Sequence, residues 1–163
     1  MLKPMKNYAI LFVCMGNICR SPTADGVLRA KLRHLGLQSK VHVDSAGTHN
    51  FHPDSPPDAR SQKHAARRGY DLSYLRARQM VEADFEHFDL ILAMDWGNLA
   101  LVQDLCPPQY LSKVRRLTEF CQQLDSPVVP DPYYGGDAGF EQVLDLVEDA
   151  CDGLLLHVQK INH

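Results

Sequence analysis

The sequence contains no long apolar run. None of its apolar stretches approaches the roughly 20 residues that a helix needs to cross a bilayer. The apolar segment nearest the start, residues 8–13, is too short for the core of a secretory signal and leads straight into polar residues. The five cysteines are an odd number, which disfavours a disulfide framework. Together these features predict a cytoplasmic protein with free thiols, no leader and no membrane partner.

A surplus of positive charge is also missing, because 17 Lys and Arg residues stand against 20 Asp and Glu, a net charge of −3. Nucleic-acid-binding domains are typically strongly basic on one face, so we expect no nucleic-acid partner. The eight histidines and five cysteines form neither an H-E-x-x-H nor a C-x-x-C pattern. We therefore predict no metal site and no cofactor.

The chain shows no repeats, low-complexity segments or linkers, and its length suits one domain over residues 1–163. Short apolar runs alternate with segments of helical periodicity, which is typical of a mostly parallel sheet with helices on both faces. We predict an α/β fold, a three-layer sandwich around a four-stranded parallel sheet of the flavodoxin or Rossmann type. The predicted strands are 8–13, 41–43, 90–93 and 114–117, and the predicted helices are 22–35, 58–69, 99–105 and 140–158.

Ligands of such sheets bind beyond the carboxyl ends of the strands. The segments that follow Val13, Val43 and Ala93 are therefore expected to meet at one edge of the sheet. The chemistry of the protein should be found there.

The segment after the first strand carries Cys14, Arg20 and Ser21 in C-x5-R-S spacing. A loop that leads into a helix N-terminus directs several backbone N–H groups towards one point, which favours an anion. Gly16 and Asn17 are the residue types that most readily take the left-handed conformations of such a loop. The planar fork of Arg20 suits two phosphate oxygens, and the positive surroundings favour the thiolate form of Cys14.

Two further residues of this segment have specific expectations. Ser21 is predicted to cap the helix, with Gly36 ending it, and to donate its hydroxyl proton towards Cys14. Cys19 is close enough in sequence to form a reversible disulfide with Cys14, the alternative being an inert loop thiol. A lone cysteine after a strand is most often structural, but the full C-x5-R-S pattern favours a nucleophile.

The segment from Val13 to Pro22, together with Asp131-Pro-Tyr-Tyr-Gly135, resembles the low-molecular-weight protein tyrosine phosphatases. The resemblance covers nearly the whole chain, including residues 44–47, 77–79 and 93–95. It implies a metal-independent hydrolysis of protein phosphotyrosine and aryl phosphate monoesters through a cysteinyl-phosphate intermediate. The implied partners are a phosphotyrosine-containing protein and a phosphate or other oxyanion in the loop.

By this resemblance Cys14 is the nucleophile, Arg20 binds phosphate and stabilises the transition state, and Asp131 is the general acid. An aspartate between prolines is by itself most often a turn residue, so this role depends on the cysteine motif. Ser45 is expected to brace the loop asparagine, while Leu75 stands where many members have a histidine. The remaining phosphate-binding candidates are Met15, Gly16, Asn17, Ile18, Cys19 and Ser21.

Three aromatic residues, Phe51, Tyr133 and Tyr134, are candidate walls for an aromatic leaving group, with simple packing as the alternative reading. Ile18 offers an apolar contact to a substrate ring. Members of the superfamily that act on phosphoarginine usually have threonine at this position. The resemblance therefore favours phosphotyrosine and leaves phosphoarginine as an alternative.

Two rival functions share parts of this pattern. Thioredoxin-coupled arsenate reductases of the same fold relay a disulfide through two cysteines after the second strand, but residues 41–105 contain no cysteine. A phosphotyrosine-binding module without activity would keep Arg20, yet it would have no need of Cys14 and Asp131 together. The sequence therefore favours the phosphatase.

Overall fold

The computed structural model describes residues 7–133 and 135–161. At its centre is a parallel sheet with the strand order β2-β1-β3-β4, so that β1 and β3 are internal. The predicted α/β fold with a four-stranded parallel sheet is confirmed. The strands are β1 (Tyr8–Cys14), β2 (Val41–Gly47), β3 (Leu90–Ala93) and β4 (Val114–Arg116).

Helices follow each of the first three strands. The five α-helices of the described residues are α1 (Arg20–His34), α2 (Ala59–Arg67), α3 (Ala83–His87), α4 (Trp96–Leu105) and α5 (Gly136–Ile161). Two 3₁₀ segments, Pro108–Lys113 and Leu117–Phe120, flank β4. The short α3 and the 3₁₀ segments were not predicted, because such short elements carry no periodic apolar pattern. No helix in residues 7–133 and 135–161 combines the length and apolarity needed to cross a bilayer.

The central strand β1 is apolar throughout because both of its faces are covered. Ile10 and Phe12 belong to a core shared with α1 and α5. Leu11 and Val13 belong to a second core, which includes residues of α3 and α4. These alternating side chains follow from the two-residue period of a strand and produce the three layers.

The start of α1 differs from the prediction. The helix begins at Arg20 with Cys19 at the N-cap position, and no side chain caps it. The prediction that Ser21 caps the helix is therefore wrong, because Ser21 lies inside the first turn and its hydroxyl has other partners. Gly36, with φ of 71°, ends the helix as expected.

The long helix α5 passes against the turn that follows β4. A Cβ atom at Gly153 would stand 2.8 Å from the carbonyl carbon of Phe120 and overlap with its oxygen. The backbone atoms of Phe120 cannot move aside as a flexible side chain can. The close approach of α5 to Phe120 therefore requires glycine at position 153.

We expect Gly153→Ala to lower the free energy of unfolding by about 1–3 kcal/mol, as overpacking does in well-packed cores. Gly139→Ala is the matched control in the same helix, because its Cβ would meet nothing closer than 3.5 Å. The control should be neutral or stabilise by up to about 1 kcal/mol, since alanine is the better helix former. Urea unfolding of both variants measures the difference, and equal effects would contradict the packing argument.

Candidate active site

Residues 14–20, from the last residue of β1 to the first residue of α1, are called the cysteine loop below. The chain after β2 runs beside it, with Thr48 N–H donating to the carbonyl of Cys14 at 2.9 Å and His49 N–H to that of Met15 at 3.0 Å. A Cβ atom at Gly47 would lie only 2.7 Å from the carbonyl oxygen of Met15. Glycine at the end of β2 therefore allows the two segments to approach so closely.

The cysteine loop leaves its backbone donors unused. No N–H group of residues 15–21 donates a hydrogen bond to any residue that the structure describes. The loop also leads into the N-terminus of α1, where the helix dipole favours negative charge. An oxyanion held within this loop would satisfy several of these N–H groups at once.

The amide of Asn17 organises the loop from behind. Its Nδ2 donates to Ser21 Oγ at 2.8 Å and to Ser45 Oγ at 3.0 Å, and its Oδ1 accepts the backbone N–H of Arg78 at 3.0 Å. Because a backbone N–H can only donate, the atom of the Asn17 amide that faces Arg78 N–H must be the oxygen. Asn17 has a left-handed φ of 58°, as predicted. Gly16 does not take a positive φ, so the same prediction is wrong there, because one left-handed residue is enough for this turn.

The thiol of Cys14 lies at the bottom of the loop, and Cys14 is only 3% exposed. Its Sγ is 2.9 Å from Ser21 Oγ. Because Ser21 Oγ already accepts a hydrogen bond from Asn17 Nδ2, its own O–H is available to donate to Cys14 Sγ. A hydroxyl donor in this direction stabilises a thiolate more than a thiol.

Ser45 contacts Asn17 as expected, while Leu75 packs into the apolar core. Although position 75 carries no histidine, both N–H groups and the oxygen of the Asn17 amide have hydrogen-bond partners. These partners are Ser21, Ser45 and the backbone N–H of Arg78. Behind Ser45, burial raises the pKa of the Asp25 carboxyl to about 6, against the opposing effect of its ion pair with Arg29.

Arg20 is buried and held in one orientation. Its Nη1 donates to Asp95 Oδ2 at 2.7 Å and to the carbonyl of Val129 at 2.8 Å. Its Nε and Nη2 donate to no described residue, which leaves one edge of the guanidinium for a ligand. The second carboxylate oxygen of Asp95 accepts the N–H of Asn98 and so caps α4.

No role had been predicted for Asp95. The available signal was its position two residues beyond the carboxyl end of β3, where ligands of parallel sheets bind. The predicted helix began at 99, whereas α4 begins at Trp96 with Asp95 as its N-cap. The sequence did not reveal that the same carboxylate also reaches Arg20.

A pocket of about 440 Å³ opens over the cysteine loop. It brings together nine of the predicted residues and adds His52. Asn17, Ser21 and Ser45 support the loop from behind and do not line the pocket, and Tyr134 lies outside the described residues. The lining consists of Cys14, Met15, Gly16, Ile18, Cys19, Arg20, Phe51, His52, Asp131 and Tyr133.

The mouth of the pocket is aromatic and exposed. Phe51 is 59% exposed and stacks on His49 with ring centroids 4.8 Å apart, while Tyr133 is 47% exposed. In the same pocket, Asp131 Oδ1 accepts a hydrogen bond from the backbone N–H of Tyr133 at 3.0 Å. The pocket thus combines a thiol, a guanidinium and a carboxyl group with apolar walls.

Cys19 lies at the start of α1 and is buried. Burial, together with the negative charge of Asp58, raises the pKa of the Cys19 thiol to about 12. At neutral pH this thiol is therefore protonated. No group of three or more His, Cys, Asp or Glu side chains in the described part of the chain could hold a metal ion.

Comparison with known proteins gives one consistent result. The profile of a family described as low molecular weight phosphotyrosine protein phosphatase matches residues 9–163. A protein of Synechocystis sp. is 47% identical over 153 residues, which cover 93% of this chain and 96% of that protein. YfkJ of Bacillus subtilis, a low molecular weight protein-tyrosine-phosphatase, is 38% identical over 152 residues, covering 93% and 96%. The crystal structure of a protein tyrosine phosphatase from Entamoeba histolytica, with Hepes in its active site, superposes with a TM-score of 0.92 at 40% identity and covers 96% of this chain and all of its own.

Two substitutions separate the backbone role of Asn17 from its side-chain role. Both Asn17→Gly and Asn17→Ala remove the amide and should weaken the binding of inorganic phosphate by about tenfold or more, because each lost hydrogen bond contributes roughly 1 kcal/mol. Only alanine is strained at positive φ, so Asn17→Ala should be about 1–2 kcal/mol less stable than Asn17→Gly. Calorimetric titration and urea unfolding measure the two effects. An alanine variant as stable as the glycine variant would contradict the left-handed conformation.

The Cys14–Cys19 disulfide remains a prediction, and the burial of Cys19 adds a pH dependence to it. Peroxide oxidises the Cys14 thiolate to a sulfenic acid, and the Cys19 thiolate then attacks its sulfur, forming the S–S bond and breaking the S–O bond with release of hydroxide. Because the pKa of Cys19 is raised to about 12, its thiolate fraction rises about tenfold per pH unit between pH 7 and 9, and disulfide formation should accelerate accordingly. Mass spectrometry after mild peroxide tests this. Sulfinic acid at Cys14 with no disulfide at any pH would disprove it.

Proposed function

Because this chain belongs to the low molecular weight phosphotyrosine protein phosphatase family, whose members are hydrolases, we propose that it hydrolyses protein phosphotyrosine and aryl phosphate monoesters through a cysteinyl phosphate on Cys14. The observation that carries this proposal is the donor arrangement around Cys14. The Ser21 hydroxyl oxygen lies 2.9 Å from Cys14 Sγ, and the N–H groups of residues 15–21 have no partner among the described residues. Arg20 and Asp131 line the same pocket.

In the first step the Cys14 thiolate attacks phosphorus, and the bond from phosphorus to the phenolic oxygen breaks. The loop N–H groups and the open edge of Arg20 neutralise the charge on the phosphoryl oxygens. Asp131, in its protonated form, gives its proton to the departing phenolate. Phosphoryl transfer has a loose transition state, so positioning and charge stabilisation provide most of the catalysis.

In the second step water attacks the cysteinyl phosphate. The Asp131 carboxylate takes a proton from this water, the bond from sulfur to phosphorus breaks, and inorganic phosphate leaves. Ser21 stabilises the Cys14 thiolate as it is released. Each residue thereby returns to its starting protonation state.

The chemistry of the pocket mouth supports an aromatic substrate. Met15, Phe51 and Tyr133 present exposed apolar surface around the opening, as suits the ring of a phosphotyrosine in a protein substrate. Ile18 adds an apolar side chain to the lining. The proposal includes a cytoplasmic location for this single domain. The Cys14 nucleophile must stay reduced, and all five cysteines are free thiols, which suits a reducing compartment.

The first test is hydrolysis of a phosphotyrosine peptide in the presence of EDTA. Wild type should remain active, while Cys14→Ser should lose activity by at least about a thousandfold, because a serine hydroxyl in this loop is a far weaker nucleophile than a thiolate. Wild type and Cys14→Ser should both bind inorganic phosphate, and this binding is the control that the variant is folded. Activity that EDTA removes, or that survives in Cys14→Ser, would disprove the mechanism.

A second test is the pH dependence of turnover. The reaction needs a deprotonated Cys14 and a protonated Asp131, so kcat/KM should follow a bell-shaped profile with an optimum at about pH 5–6. Asp131→Asn should remove the alkaline limb, because no carboxyl group is then left to titrate. An activity that rises continuously to pH 9 in the wild type would contradict the assignment of Asp131.

A further inference from the structure

Arg60, on the first turn of α2, contacts the chain that carries Asp131. Its Nη1 donates to the carbonyl oxygen of Tyr133 at 3.1 Å. Its guanidinium also stands over the ring of Tyr133, 5.1 Å from the ring centroid. A single side chain thus holds both the backbone and the aromatic ring of one pocket-wall residue.

Tyr133 in turn orients the carboxyl group of Asp131. The backbone N–H of Tyr133 donates to Asp131 Oδ1 at 3.0 Å. Residues 130–133 are called the acid loop below. Contacts that hold Tyr133 in place also hold the N–H group that bonds the Asp131 carboxylate.

The other end of Arg60 is anchored to the cysteine loop. Its Nε and Nη2 donate to the two carboxylate oxygens of Asp58 at 3.2 and 3.1 Å. The backbone N–H of Asp58 donates to the carbonyl oxygen of Ile18 at 2.7 Å. A continuous series of contacts therefore runs from the cysteine loop through Asp58, Arg60 and Tyr133 to Asp131.

The pairing of Asp58 with Arg60 persists at acidic pH. Burial by itself would raise the pKa of the Asp58 carboxyl, but hydrogen bonds from the Arg60 side chain and backbone hold it below its usual value. A depressed pKa means that the charged form is lost only below the ordinary range of an aspartate. The contact is thus intact at about pH 5–6, where turnover is expected to be fastest.

Further contacts join the face of α2 that carries Arg60 to the start of α5. The ring of Phe140, at the start of α5, is contacted by the Arg60 guanidinium at 4.9 Å from its centroid. His64, one helical turn beyond Arg60, stacks on the same ring and bonds Asp137 and Glu141 through its two ring nitrogens. One face of α2 thereby contacts the first turns of α5, the helix that begins at Gly136 after the acid loop.

We propose that Arg60 is a positioning residue for proton transfer, which holds the acid loop against the cysteine loop so that the Asp131 carboxyl group reaches the leaving oxygen. The proposal rests on the role of Asp131 proposed above. It assigns Arg60 no contact with the substrate. Its consequence is that loss of Arg60 impairs the protonation of poor leaving groups more than it impairs phosphate binding.

Leaving-group dependence tests this directly. Phenyl phosphate releases a phenolate about as basic as tyrosine, whereas the nitro group of p-nitrophenyl phosphate makes the leaving group less dependent on an acid. We expect Arg60→Met to lower kcat/KM about tenfold for phenyl phosphate and less than about threefold for p-nitrophenyl phosphate. Arg60→Lys should show a smaller loss with the same selectivity, since lysine keeps the charge without the planar fork.

Two further variants make the outcomes distinguishable. Arg67→Met removes an exposed arginine at the other end of α2 and should leave both substrates unaffected. Asp131→Asn should show the same selectivity as Arg60→Met, but more strongly. If Asp131→Asn lacks this selectivity, the proposed acid is wrong. If it shows the selectivity and Arg60→Met does not, the proposed function stands and the role of Arg60 is disproved.

A direct role of Arg60 in binding predicts a different result. It would raise KM equally for both substrates with kcat unchanged, and this outcome would overturn the positioning role. A purely structural role would lower kcat/KM equally for both substrates together with the melting temperature, and that outcome would overturn it as well. Selective loss with an unchanged melting temperature is the supporting result.

Discussion

The hydrogen bonds of the Asn17 amide are the constraint on which the site depends. The amide joins the cysteine loop to Ser45 at the end of β2 and to the backbone at Arg78. Because both of its N–H groups donate to serine hydroxyls, the Ser21 O–H is free to donate to Cys14. One buried side chain therefore fixes the loop conformation and also determines the direction of a donor at the reactive thiol.

The parallel sheet supplies the other half of the site. Because β1 and β3 are adjacent and parallel, the residues beyond their carboxyl ends lie side by side, which brings Asp95 to Arg20. This ion pair and the carbonyl of Val129 occupy one nitrogen of the guanidinium and leave its other edge open. A buried arginine without such partners would carry an uncompensated charge, so the same contacts that orient Arg20 also make its burial tolerable.

Much of this arrangement could be predicted from local sequence. Continuous apolar runs predicted β1 and β3, since a strand covered on both faces needs no polar position. The C-x5-R-S spacing predicted an anion loop before a helix, and the structure brings Cys14 and Arg20 together in one pocket. The capping role of Ser21 was wrong because α1 begins at Arg20, so that Ser21 lies within the first turn. Whether a serine in such a segment caps or turns inward depends on where the helix begins, which the sequence indicates only to within a few residues.

The sequence by itself determined the alternation of strands and helices and the residue types in the cysteine loop, because both depend on neighbouring positions in the chain. Asp131 and Ser45 were assigned to the site through a family resemblance, but tertiary structure alone decided which other distant residues complete it. Asp95 meets Arg20, and Arg60 meets Tyr133, across separations of 75 and 73 residues. No local pattern encodes such pairs, because they arise from the order of strands in the sheet and from the packing of α2 against α5.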